Sequence, residues 1–192
     1  MSDLDDAIDA AFEPLRGRPS IDRAAAVVSN LADYGFVWVL VALLKGRRRG
    51  PDRRRAVVQL GAAGFSSLFV SRAVKSVVER QRPDEHLAAA VRTPTSSSFP
   101  SGHTLAAFCT AFVLAETEVQ TTAFVGFAGA VAASRIHLRA HHPTDVLGGA
   151  ALGSVLGLCL RPLVNTVTPG SRHRAARARR GMGRRPYGLK EL

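Results

Sequence analysis

Residues 146–160 read Val-Leu-Gly-Gly-Ala-Ala-Leu-Gly-Ser-Val-Leu-Gly-Leu-Cys-Leu, fifteen positions without a charge. No apolar–polar alternation marks a strand, so the run predicts a helix. Gly149, Gly153 and Gly157 form two overlapping Gly-x-x-x-Gly units. Such a row lets helix backbones approach closely where lipid supplies no hydrophobic drive between helices. In water the same row would weaken the helix and fill a core poorly. Charge-free or nearly charge-free runs recur at 24–44 (Asp33 alone), 56–71, 102–115 and 119–134. Within 119–134, Gly126, Ala130 and Ser134 repeat the small-residue spacing. Most runs fall short of the ~20 residues that cross a bilayer core. A soluble all-helical bundle is the competing reading, and the glycine rows favour the membrane.

The charge distribution points the same way. The 192-residue chain carries a net charge of +11 and is 46% apolar, enough for one helical bundle and inconsistent with disorder along its length. Residues 45–55 hold seven Lys/Arg against Asp52, and 170–192 hold eight against Glu191, so the rest of the chain is slightly acidic. With five spans both basic blocks fall on one side, cytoplasmic by the positive-inside rule. That makes them topology determinants attracted to anionic lipid headgroups, not a nucleic-acid surface. Residues 1–16 pair five acids with Leu4, Ile8, Phe12 and Leu15 at helical spacing, an amphipathic helix ending near Pro14 or Gly17 and suited to a membrane interface. It lacks the basic start and apolar core of a signal peptide. Residues 170–192 have no apolar periodicity and read as a disordered basic tail. Cys109 and Cys159 sit in apolar runs and make neither a disulfide framework nor a zinc ribbon.

Three polar clusters lie where the apolar runs end. Lys75 and Arg82, seven apart, share a helical face that Pro83 closes. Pro100-Ser101-Gly102-His103 opens the third run. A Ser-Gly pair entering a helix offers amides and a positive dipole end to an anion, although Ser101 also suits an ordinary N-cap. Ser134-Arg135 precedes His141 and Asp145, whose spacing of four lets a carboxylate accept from the imidazole on a helix. In the five-span layout all three clusters face the side opposite the basic blocks. Three cations, amide donors and two histidines suit a phosphoryl group.

Lys-x6-Arg-Pro, Pro-Ser-Gly-His and Ser-Arg-x5-His-x3-Asp together resemble the tripartite signature of the type 2 phosphatidic acid phosphatase (PAP2) superfamily, the lipid phosphate phosphatases. The resemblance covers Ile21 to Leu160 and implies an all-α, multi-span transmembrane bundle of five to six helices. It divides the chain into an amphipathic segment 1–19, a phosphatase domain 20–166 and a basic tail 167–192. It implies that His141 is the nucleophile of a phosphohistidine intermediate, that Asp145 orients it, and that His103 protonates the leaving alkoxide and then activates water. Lys75, Arg82, Ser101, Gly102 and Arg135 would bind the phosphate, with no metal or other cofactor. The implied substrate is a lipid phosphate met at the outer membrane face. A resemblance to a small actinobacterial group favours decaprenylphosphoryl-ribose 5-phosphate of cell-wall precursor synthesis. Phosphatidic acid, phosphatidylglycerol phosphate and polyprenyl diphosphate are the alternatives.

Three other readings compete. One is a non-catalytic phospholipid-binding membrane protein, which would have no use for the His141–Asp145 pair. Another is a vanadate-dependent haloperoxidase, which shares the anion site in larger, soluble enzymes. The third is a metal site built from His137, His141, His142 and Asp145, which the three cations would oppose. His137 and His142 are expected near the site or the interface and His86 in a loop, with residues 84–99 shaping the headgroup pocket. No oligomeric state is legible.

Overall fold

The computed structural model describes residues 2–47, 50–83 and 96–168. Among them are seven α-helices and no strand: α1 Asp3–Phe12, α2 Pro19–Ala32, α3 Phe36–Gly46, α4 Gly50–Lys75, α5 Gly102–Leu114, α6 Glu118–His137 and α7 Pro143–Val167. The basic tail beyond Thr168, His86 and most of the expected headgroup segment (84–95) lie outside the described residues.

The glycine row of α7 meets α5. A Cβ on Gly149 would stand 2.6 Å from the Ser101 carbonyl oxygen, one on Gly153 2.3 Å from that of Leu105, and one on Gly157 2.7 Å from that of Cys109. These approaches are possible only without side chains, so α5 and α7 form the closest-packed pair. The second row behaves differently. Gly126 and Ala130 are exposed, a Cβ at Gly126 would meet nothing within 4 Å, and of this row only Ser134 is buried, so the first two positions mark an outward face and not a packing seam. The core of α6 instead uses Ala128 and Val131, packed with Trp38, Ala107, Ala111 and Leu114. Trp38 places its ring edge-on to Phe124 and Phe127, at 5.7 and 5.6 Å.

The expected first span, 24–44, is not one helix. A 3-10 turn at Asp33–Gly35 breaks it, with Gly35 at φ 68°, a left-handed conformation that glycine adopts without strain. The α2 and α3 axes are bent by 59°. By length and apolar composition α4 and α7 can each cross a membrane, and the bent α2–α3 pair makes a third candidate; α5, at 13 residues, is short. The expected basic loop 45–55 is also mostly helix, because α3 runs to Gly46 and α4 starts at Gly50. Lys45 and Arg55 turn inward there. Lys45 lies 3.2 Å and Arg55 3.0 Å from Glu116, between α5 and α6, and Arg55 also binds the end of α7 through Asn165 at 2.7 Å. This cluster closes one end of the bundle. The ends of α4 and α6 and the starts of α5 and α7 meet at the other.

The amphipathic N-terminal helix forms as expected, with Ser2 as its N-cap, but Leu4 is exposed and Asp5 is buried. Arg16 follows it and fixes it to the end of α6, donating to the carbonyls of Ile136 and His137 at 3.1 Å each. Both carbonyls lie in the last turn of α6, and that of Ile136 also accepts from the Arg139 amide at 3.0 Å.

Candidate active site

Motif residues separated by more than 60 positions converge where α7 begins. The helix expected to carry both Lys75 and Arg82 ends at Lys75, so Arg82 lies on the segment beyond it. Helical spacing therefore does not bring this pair together; the chain's return path does. Arg82 donates from Nη1 to the Ala140 carbonyl at 2.9 Å and lies 3.3 Å from His141 Nε2. Lys75 Nζ donates to the Ser97 carbonyl and is close enough to Arg82 and Asp145 to feel both charges.

His141 also sits off the helix, one residue before the α7 N-cap His142. Its imidazole is buried, and its Nδ1 stands 3.7 Å from Asp145 Oδ2, an ion-pair distance longer than a hydrogen bond. A guanidinium only donates, so the nitrogen facing Arg82 must be the acceptor. The neutral ring therefore carries its proton on Nδ1, towards Asp145, and presents the Nε2 lone pair to the cations. Burial pushes the His141 imidazole down to about 4; the Asp145 carboxylate opposes this, and Arg82 and Arg135 add to it. The ring is neutral at physiological pH, the state a nucleophile requires.

Asp145, fully buried, is the third residue of α7 and its capping-box carboxylate, accepting from the His142 amide at 2.9 Å through Oδ2. Its Oδ1 accepts from Arg80 at 2.7 Å, and its main-chain carbonyl accepts from the Ser101 amide at 3.0 Å. That last bond ties the start of α5 to the start of α7. Ser101 stands at the N-cap position of α5 without making a side-chain cap; its Oγ accepts from Thr104 Oγ1 at 3.0 Å. Gly102 follows, and a Cβ there would come within 3.2 Å of Ser71 Oγ.

Arg135 is fully buried. Its Nη1 donates to Ser29 Oγ of α2, while Nε and Nη2 find no hydrogen-bond partner among the described residues. A buried guanidinium with two open donors is expensive unless an anion answers it. His103 Nε2 lies 2.6 Å from Asp33 Oδ1, with Arg135 and Arg82 in electrostatic reach of that pair. All the motif cations and both motif histidines thus gather around one region.

The motif pattern does not single out Asp33, Arg80 or Asp5. Asp33 was visible as the lone charge of an apolar run, whereas nothing local distinguishes Arg80 from other basic residues flanking a span. His137 pairs with Asp22 at 2.7 Å, and His142 caps α7. No three His, Cys, Asp or Glu side chains gather as a metal ion would need among the described residues.

The sequence matches the PAP2 superfamily over residues 56–169. It is 34% identical over 149 residues to the decaprenylphosphoryl-5-phosphoribose phosphatase of Mycobacterium tuberculosis, covering 77% of this chain and 83% of that one. It is 29% identical over 168 residues to phosphatidylglycerophosphatase B of Bacillus subtilis, covering 79% of each. Its fold superposes on the crystal structure of a transmembrane PAP2-type phosphatidylglycerolphosphate phosphatase from Bacillus subtilis with a TM-score of 0.71, at 24% identity and over 86% of this chain and 87% of that one. With three motifs at one bundle end and these likenesses along most of its length, the chain belongs to the PAP2 superfamily, as a membrane protein and a phosphoric monoester hydrolase of the lipid phosphatase type.

Proposed function

We propose that this phosphatase removes the terminal phosphate from a polyprenyl-linked sugar phosphate, of the kind named for its mycobacterial relatives, through a phosphohistidine on His141. His141 Nε2 attacks phosphorus and the P–O ester bond breaks. The departing alkoxide takes a proton from His103, whose other nitrogen Asp33 holds. Water then attacks phosphorus and gives a proton to His103, the P–N bond breaks with its electron pair returning to Nε2, and inorganic phosphate leaves with His141 neutral again. Lys75, Arg82 and Arg135, with Ser101 and the Gly102 amide, hold the phosphate oxygens as charge builds on them. Three fixed cations serve in place of a metal ion. The observation that carries this reading is the pair of unanswered donors on buried Arg135 beside a neutral imidazole whose lone pair faces Arg82.

Residues 20–166 form the catalytic unit in this reading, with five traverses of the bilayer. The Lys45–Arg55 end faces the cytoplasm with the basic tail, and the phosphate site faces outward. The positive-inside rule supports that orientation, and it lets a headgroup reach the site while its chain stays in lipid.

Phosphate release by the purified protein tests this on phosphatidic acid, phosphatidylglycerol phosphate, a polyprenyl diphosphate and a polyprenylphosphoryl pentose phosphate. The last should be preferred. His141→Ala should lower turnover by about 10⁴-fold or more while the protein stays folded. Orthovanadate should inhibit, as a mimic of five-coordinate phosphorus, and EDTA should not. Normal turnover by His141→Ala would end the mechanism; a preference for phosphatidic acid would end the substrate assignment alone.

A further inference from the structure

Asp5 is a fully buried acid outside the family signature and outside the matched residues 56–169. Its Oδ1 accepts from the amide and the hydroxyl of Thr144, both at 2.8 Å. Its Oδ2 accepts from Arg80 Nη2 at 2.6 Å, from Ser2 Oγ at 2.9 Å and from the Thr144 hydroxyl at 3.1 Å. Burial alone would raise the Asp5 carboxyl, but Thr144 and then Arg80 and Ser2 hold it well below the usual carboxylate range, so it is ionised.

Arg80 is therefore shared by two carboxylates. One arm of its guanidinium binds Asp5; the other donates to Asp145 Oδ1 and to Thr144 Oγ1, both at 2.7 Å. Asp145 is left with Oδ2 held by the His142 amide and aimed at His141 Nδ1, 3.7 Å away. Without Asp5, Arg80 would spend its charge on Asp145 alone, and the carboxylate would have less to offer an imidazole that turns positive. Without Arg80, two buried carboxylates would face each other.

We propose that Asp5, acting through Arg80, is a positioning residue for catalysis. It fixes the orientation and charge of Asp145 so that Oδ2 accepts a hydrogen bond from the Nδ1–H of His141, which keeps its proton, as the phosphohistidine forms. The N-terminal helix thereby belongs to the working site. This rests on the reading of His141 and Asp145 as the reacting pair. The charged groups facing that pair are Lys75 from α4, Arg80 and Arg82 from the segment after it, Arg135 from α6, and Asp5 from α1.

The test follows phosphate release from phosphatidic acid in detergent micelles by the full-length protein between pH 3 and 9. The variants are Asp5→Asn, Arg80→Gln, their double, and Asp145→Asn as reference. Asp5→Asn and Arg80→Gln should each lower kcat on the order of 10- to 100-fold with KM little changed. The double should be no worse than Arg80→Gln, since Asp5 acts through that residue. The acid limb of kcat/KM should move in opposite directions: up when the Arg80 cation is lost, down when Asp5 no longer balances it. A merely structural strap would lower the folded fraction and leave kcat per folded molecule and the pH profile unmoved. Wild-type kcat and pH profile in both single variants, with Asp145→Asn inactive, would overturn the inference and leave the proposed function standing. An active Asp145→Asn would remove the reading beneath both. Should Asp5→Asn or Arg80→Gln fail to fold, Arg80→Lys decides: it keeps a cation between the two buried carboxylates but loses the fork that binds both, so kcat should still fall and the acid limb still move, and a wild-type kcat and pH profile in Arg80→Lys would overturn the inference.

Discussion

Arg55, where α7 finishes, and Arg135, where α6 ends beside the start of α7, are both buried arginines with opposite hydrogen-bond accounts. Arg55 donates to Glu116 from Nε, to the Thr168 carbonyl from Nη1 and to Asn165 from Nη2. Arg135 donates to Ser29 and keeps two nitrogens open. The first arrangement spends a cation on joining helix ends, and Lys45 shares its partner Glu116. The second leaves two buried guanidinium nitrogens without a hydrogen-bond partner among the described residues, which costs stability. Residue type and burial are alike; the hydrogen-bond account separates a brace from a binding group.

Exchanging each arginine for methionine should expose the difference. Arg135→Met should lower kcat/KM by about 10²- to 10³-fold, the usual loss on removing one donor from a charge-stabilising site. The protein should unfold no more readily, because a buried cation with two unpaired nitrogens is replaced by a side chain of similar volume. Arg55→Met should do the reverse: thermal unfolding in detergent should reveal a loss of about 2 kcal/mol, with kcat per folded molecule retained. Glu116 is part-exposed, which keeps the figure modest. If Arg135→Met melts the protein and Arg55→Met abolishes turnover, the two ends have been assigned the wrong way round.

The contrast also explains how much of the site could be read in the sequence. The helical periods, the α7 glycine row and the three motif clusters are local patterns, and they located the fold and the region of the site. The residues that complete the site come from elsewhere. Asp33 reaches His103 across 70 positions and Asp5 reaches Arg80 across 75. No local pattern encodes a partner that distant. Spacing also misled in detail. Helical spacing makes neighbours of Lys75 and Arg82 and of His141 and Asp145, yet the helix stops at Lys75 and His141 precedes α7. In both pairs the residues still meet, because a turn brings them together where a helix face was expected to. The Gly126 row failed for a related reason: small residues every four positions are needed for close packing but do not say which face meets a partner.

Packing at the glycine seam offers a smaller effect between the two ends. Gly153→Ala would push a methyl into the Leu105 carbonyl at 2.3 Å, forcing α5 and α7 apart at a cost of about 1–3 kcal/mol. Gly126→Ala, with nothing within 4 Å, should be neutral or slightly stabilising. Equal melting of the two variants would remove the distinction between a seam and an outward face.

The last difference between the ends is in their response to pH, and its sign follows from His141. The unfolded chain binds a proton on this imidazole near 6.5, whereas the folded protein resists until about 4. As pH falls through that window the unfolded state takes up the proton first, so stability declines, by on the order of 3 kcal/mol once pH has passed below 4, and it is fully present above 6.5. On the proposed mechanism only the neutral His141 ring attacks, so the acid limb of kcat/KM should lie near 4, well below an ordinary histidine. Glu116, at the other end, is disfavoured as an ion by burial but held ionised by Lys45 and Arg55, and it is lowered from its ordinary value. Its contribution is therefore present above the ordinary glutamate range and fades only in stronger acid. Between pH 6.5 and 5 the loss of stability should accordingly be assigned to the catalytic end alone. Melting curves of wild type and Arg135→Met across that interval measure it: removing one cation beside His141 should flatten the decline, and a decline unchanged by Arg135→Met would place its origin elsewhere in the molecule.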